Sequence, residues 1–132
     1  MLAAPLQTRC EVIHKETADH RPASVVCVTG DIDLTSSGQL QAEINDVLAE
    51  ERPVRLILDL NGMAHIDSSG IGTLLEGWRN ASQRHVPFLL CGLNEAARRT
   101  LERTRLTRLF DIRRTVEEAL RSDVLIPNFS DL

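Results

Sequence analysis

Apolar positions along the chain follow two periods. Ser24–Thr29 (SVVCVT), Val54–Leu60 (VRLILDL) and Val86–Cys91 (VPFLLC) are short, nearly continuous apolar runs. Runs of that length predict strands covered on both faces. Between them the spacing becomes helical. Leu40, Ile44, Val47 and Leu48 recur behind the capping candidates Thr35, Ser36 and Ser37, and Pro53 stops that helix. Asp67-Ser68-Ser69-Gly70 opens a second helix with Ile71, Leu74, Leu75 and Trp78 on one face. Asn94 caps a third, with Ala97 and Leu101 inward, and Thr115 caps a last one through Leu120. Cys10–Lys15 and Leu109–Ile112 read as two weaker strands, with Gly30 ending the second strand and Asn61–Ile66 as a loop.

The order β-β-α-β-α-β-α-β-α predicts an α/β fold: a small mixed sheet of four to five strands flanked by about four helices. The first strand has no crossover helix before its neighbour, so it pairs antiparallel at an edge. A length of 132 residues favours one domain, 1–132. Its core is expected at about 10–122, with flexible ends at 1–9 and 123–132.

Composition narrows the function. Hydrophobic residues at 42% and charged residues at 26% suit a globular domain rather than a disordered one. No apolar run is long enough to span a membrane, and MLAAPLQTRCEV lacks the pattern of a secretory signal. A cytoplasmic protein is expected. A formal charge of −4, with only Trp78, Phe88, Phe110 and Phe129 as aromatics, argues against direct nucleic-acid binding. Cys27 and Cys91 lie inside apolar runs and read as small buried hydrophobes. Neither the three cysteines nor the four histidines show metal-ligand spacing, so no metal and no cofactor is expected.

Enzyme signatures fail one by one. There is no GxxxxGK[ST] loop. Gly70 and Gly72 begin a GxG whose third glycine position holds Leu75. Ile66-Asp67-Ser68-Ser69-Gly70 misses the first glycine of a nucleophile elbow. His65, Asp67 and Ser68 sit too close in one loop to form a triad. The reading is a binding module, not an enzyme.

Residues 63–78 carry the chemistry instead. Asp67 suits an N-cap, and Ser68 and Ser69 stand at a helix entrance, where free N–H groups and the dipole favour an anion such as phosphate. Gly70 and Gly72 lower helix propensity and leave room for close approach of a partner backbone. By local chemistry alone these serines are also simple capping groups, and Thr35-Ser36-Ser37-Gly38 offers a second cluster of the same kind.

GDIDLTSSGQL (30–40), VRLILDLNGMAHIDSSGIGTLL (54–75) and FLLCGLNEAARRTLERTRLTRLFDI (88–112) together resemble the STAS family. More closely, they resemble its bacterial anti-sigma factor antagonists. The resemblance covers about residues 10–122. It implies a STAS fold and a phosphoacceptor at the serine directly after the aspartate, here Ser68 rather than Ser69. It implies a docking face built from Gly30, Asp31, Asp33, Asp67, Ser68, Ser69, Gly70 and Gly72. The implied partner is an anti-sigma factor that is also a serine kinase. The unphosphorylated antagonist binds it and frees the sigma factor, and a protein phosphatase reverses the mark. The alternative is a STAS subunit of a larger stress-signalling or lipid-transport assembly. A small-molecule or nucleotide binder is a third class, disfavoured by the missing phosphate-cradling loop.

Overall fold

The computed structural model describes residues 8–121. Five strands form one sheet in the order β1-β2-β3-β4-β5. They are β1 (Arg9–Glu16), β2 (Pro22–Ile32), β3 (Leu56–Ile66), β4 (Phe88–Cys91) and β5 (Asp111–Arg113). β1 pairs antiparallel with β2 at one edge, and the remaining neighbours are parallel. The helices are α1 (Ser37–Asp46), α2 (Ser68–Gln83), α3 (Glu95–Arg103) and α4 (Val116–Arg121).

The continuous apolar runs are explained by the register. Val25, Ile57 and Leu89 align across the three central strands, and Val26, Leu58 and Leu90 form the next row. Adjacent rows face opposite sides of a sheet. The second row packs under α1, α2 and α3, with Leu40, Ile44, Leu74, Trp78, Ala97 and Leu101. The first row packs under α4, with Ala119, Val116 and Leu120. Both faces are covered, so both rows must be apolar.

Several boundaries differ from expectation, each for a physical reason. α1 ends at Asp46 and continues as a π-turn over Val47–Glu51, closed by Arg52 in the left-handed region (φ 48°) before Pro53. β3 begins at Leu56, although Val54 N already donates to Pro22 O and Ser24 N to Arg55 O. Leu109–Ile112 shifts to Asp111–Arg113, because Leu106–Arg108 forms a 3-10 turn and Phe110 drops into the core beside Phe88, ring centroids 6.3 Å apart.

The larger correction concerns Asn61–Ile66. It is not a loop but the second half of β3. Gly30 likewise does not end β2, which runs on to Ile32. The two strands stay paired to Ile32↔Ile66 through register shifts after Cys27 and Gly30. β4 pairs with β3 only as far as Asp59, so the β2–β3 ribbon runs on past the end of β4 by about 20 Å at ordinary strand rise, flanked by β1 as far as Thr29. Its inward positions Ile32, Leu60 and Met63 stay buried under the helices, while the exposed Asn61, Gly62, Ala64 and His65 break the apolar run, which is why the periodicity fades there.

At the N-terminal end, Arg9 belongs to β1 and the Thr8 hydroxyl donates to Asp31 O, so these two residues are not part of a frayed segment. The rest of 1–9, and the tail 123–132, lie outside the described residues. Cys91 is buried as expected, and burial pushes its thiol up to about 12. Cys27 is only half-buried; its thiol is raised by desolvation and by the neighbouring Asp59 carboxylate. No helix among the described residues is long and apolar enough to cross a membrane.

Candidate functional site

The β2–β3 ribbon delivers β2's last residues and α2's first turn to one place. Asp67 N donates to Ile32 O at 3.2 Å, which stitches the helix entrance to the end of β2. Asp67 itself is extended (φ −105°, ψ −172°), and its side chain accepts from Gly70 N at 3.0 Å. It is the N-cap the spacing predicts. Asp31 and Asp33, on the strand end just stitched, are thereby brought beside Asp67 and Ser68.

Gly30 sits at φ 90°, a conformation open to glycine and strained for other residues. It supplies the kink that turns Asp31 and Ile32 toward Ile66. Asp33 then organises the loop into α1. Its Oδ1 accepts from Thr35 N at 2.9 Å, Thr35 Oγ1 at 2.7 Å and Ser36 N at 3.2 Å. The Thr35 hydroxyl, followed by these backbone donors, holds the Asp33 carboxyl below the usual carboxylate range.

The two serine clusters are now distinguishable. Ser36 is the N-cap residue of α1 by position but makes no side-chain cap bond. Its buried hydroxyl instead donates to Asp31 O at 2.8 Å and accepts from Asp33 N at 3.0 Å. Its oxygen is committed to holding the loop. Thr35 Oγ1 is committed to Asp33. Ser68 is exposed, and its hydroxyl has no hydrogen-bond partner among the described residues. Ser69 is half-buried, and its carbonyl accepts from Thr73 Oγ1 at 3.2 Å.

The glycines also separate. Gly70 is buried, and a Cβ there would lie 2.6 Å from Ile66 Cγ1 and 2.7 Å from Ile32 O. The expected open approach for a partner is taken by the protein's own strand ends. Gly70 is small so that α2 can seat on the ribbon. A Cβ at Gly72 would meet nothing within 4 Å, and that position is exposed. Leu75, expected inward, is only half-buried. It follows Ser68 and Gly72 on the same outer stripe of α2, seven and three residues on.

Two supporting residues, and a second role of a third, were not legible in the sequence. Thr8 braces Asp31 from β1. Thr73 is buried, and its hydroxyl is also 3.4 Å from Ser37 O, linking α2 to α1. Asn94 was legible as a cap, and its Oδ1 does accept from Ala97 N at 2.8 Å. Its Nδ2 also donates to Met63 O and Ala64 O, at 3.2 and 3.1 Å, on the edge of β3 that β4 leaves open. No hydrogen bond among the described residues links His65, Asp67 and Ser68. No group of three or more potential metal ligands occurs among them.

A profile of the STAS domain matches residues 14–119, most of the chain and all of the elements around this site. The chain belongs to the STAS family. Among relatives, this STAS protein is 28% identical over 103 residues to the anti-sigma-F factor antagonist RsfB of Mycobacterium tuberculosis, covering 78% of this chain and 83% of that one. It is 23% identical over 97 residues to the anti-sigma F factor antagonist of Paenibacillus polymyxa, covering 74% and 83%. In three dimensions it superposes on an anti-sigma factor antagonist from Mycobacterium paratuberculosis with a TM-score of 0.76 at 27% identity, covering 90% and 96%. The five-stranded sheet and four helices among its described residues fit the STAS fold that the sequence motifs predict.

Proposed function

We propose that this STAS domain is an anti-sigma factor antagonist switched by phosphorylation of Ser68. Unphosphorylated, it docks on an anti-sigma factor that is also a serine kinase, and so frees the sigma factor. The kinase transfers phosphate from ATP to the Ser68 hydroxyl, and the phosphorylated protein leaves. A protein phosphatase restores the hydroxyl. The docking face comprises Asp31, Asp33, Asp67, Ser68, Ser69 and Gly72, with the buried Gly30 and Gly70 beneath it.

One observation carries the choice of residue. Of the hydroxyls at the two helix entrances, Ser68 is exposed and unengaged; Ser36 and Thr35 are spent on the loop's own bonds, and Ser37 and Ser69 are half-buried. The surroundings supply the switch. A phosphate adds about −1.5 to −2 charges to a surface that already holds three aspartates. A partner site matched to the neutral hydroxyl then meets a much more negative face. A loss of about 1.4 kcal/mol lowers affinity tenfold, so one phosphate suffices. Within the antagonist itself the phosphate sits at the positive end of the α2 dipole, where it does not unfold its own helix.

Incubation with the anti-sigma kinase of the source organism and ATP, followed by fragment mass spectrometry, tests the assignment. Phosphate is expected on Ser68. Phosphate chiefly on Ser36, Ser37 or Ser69 contradicts it.

A further inference from the structure

The basic residues are unevenly placed. Residues 95–114 hold seven of the chain's 15 basic residues and three of its 19 acidic ones. The rest of the chain has twice as many acidic as basic residues. The fold converts this into a polarity of the molecule. α3 starts at the C-terminal end of β4 and runs back to the start of β5, which pairs in parallel from Leu89↔Asp111. Arg103, Arg105 and Arg108 therefore stand where the parallel strands begin. Ser68 and its three aspartates stand where those strands end.

Two open hollows adjoin on this corner and share Glu102. Ala96, Arg99, Thr100 and Arg103 line one; Arg105, Thr107 and Arg108 line the other. Positions 96, 99, 100 and 103 recur at helical spacing on a side of α3 turned away from the buried Ala97 and Leu101. Arg99 pairs with Glu95 at 3.2 Å, with both side chains exposed, a contact that water weakens. Arg103 donates to the Thr100 hydroxyl at 3.3 Å. Arg105 and Arg108 make no salt bridge or side-chain hydrogen bond among the described residues. The helix dipole favours cations at the end of α3, which accounts for Arg103 and Arg105 but not for Arg99 or Arg108.

We infer that this corner is a second docking surface, for a folded protein presenting spaced carboxylates, and that it works independently of Ser68. The class of partner follows from Glu102. A nucleic-acid backbone or an anionic membrane is a dense, uniform field of charge, and it would be repelled by a carboxylate at the centre of the patch and by the acidic remainder of the chain. A protein surface can place carboxylates over the arginines and a donor over Glu102. Arginine's planar fork also suits carboxylates in paired hydrogen bonds. A symmetric contact with a second copy is disfavoured, since a two-fold interface would set the same arginines against one another. Because the two surfaces lie at opposite ends of the sheet, both can be occupied at once.

The probe is an alanine-based helical peptide with one glutamate per turn, titrated by fluorescence anisotropy against the full chain. Wild type and Ser68→Asp are expected to bind it equally. The triple variant Arg103→Glu/Arg105→Glu/Arg108→Glu is expected to lose about tenfold in affinity or more. Raising salt from about 50 to about 300 mM should weaken wild-type binding severalfold. The triple Arg→Gln variant removes charge without reversing it and serves if the glutamate variant does not fold; it too should bind more weakly. Equal binding by the triple variants, no binding by wild type, or loss of binding in Ser68→Asp overturns the inference. So does tighter binding of a short DNA duplex or of phosphatidylglycerol vesicles than of the peptide, which would assign the patch to a nucleic acid or a membrane.

Discussion

Asp33 and Gly70 show how single residues set the site before any partner arrives. The Asp33 carboxylate is held by the Thr35 hydroxyl and by two backbone donors, so its folded-state pKa lies below that of the unfolded chain. A depressed carboxyl stabilises the fold above its unfolded pKa, about 3.9, and that contribution is lost as pH falls through the lower folded value. Thr35→Val should therefore move the Asp33 titration, followed by carboxyl-carbon NMR, up toward its ordinary range. An unmoved midpoint would mean the hydroxyl does not hold it. The two glycines of the motif should respond in opposite directions to alanine. Gly70→Ala forces a Cβ against Ile66 and Ile32 and should cost about 1–3 kcal/mol in urea unfolding. Gly72→Ala meets open space and should be neutral or stabilise α2 by up to about 1 kcal/mol.

Among the elements, the β2–β3 ribbon does most to build the site, and Asn94 is its brace. Asn94→Asp keeps the α3 cap but loses both donors to β3, whereas Asn94→Ala loses the cap as well. The alanine variant should be the less stable, by about 0.5–2 kcal/mol for the cap alone. Faster amide exchange at residues 61–66 is expected in both. Unchanged exchange there would show that the side-chain donors do not hold the edge.

The ribbon is also the element least legible in the sequence. The three buried strands and the helix faces were legible because burial on both sides imposes apolar runs and helical spacing. Asp67 and Asn94 were legible as caps because their side chains act on backbone three residues away. Asn61–Ile66 was not, since a strand held by a neighbouring strand and by a side chain 30 residues on carries no period of its own. For the same reason the spacing could not tell Ser36 from Ser68. The difference lies in the oxygen of Asp31, which Ser36 reaches only once the loop has folded.

Across the whole molecule, folding and binding are separable. Ser68, the proposed phosphoacceptor, stands at an exposed helix entrance, and its side chain carries none of the fold's hydrogen bonds among the described residues. Ser68→Ala should fold normally, bind the anti-sigma kinase about as well as wild type, and no longer be released by ATP. Ser68→Asp should be no less stable, with about 0.3–1 kcal/mol available from an anion at a helix N-terminus. It should nonetheless bind more weakly, though less so than the phosphoprotein, whose charge is larger. The most direct test is a calorimetric titration of the anti-sigma kinase with wild type, Ser68→Ala and stoichiometrically Ser68-phosphorylated protein. Similar affinity is expected for the first two and a loss of about tenfold or more for the third, with no melting temperature lowered. Equal affinity for all three would contradict a switch at Ser68.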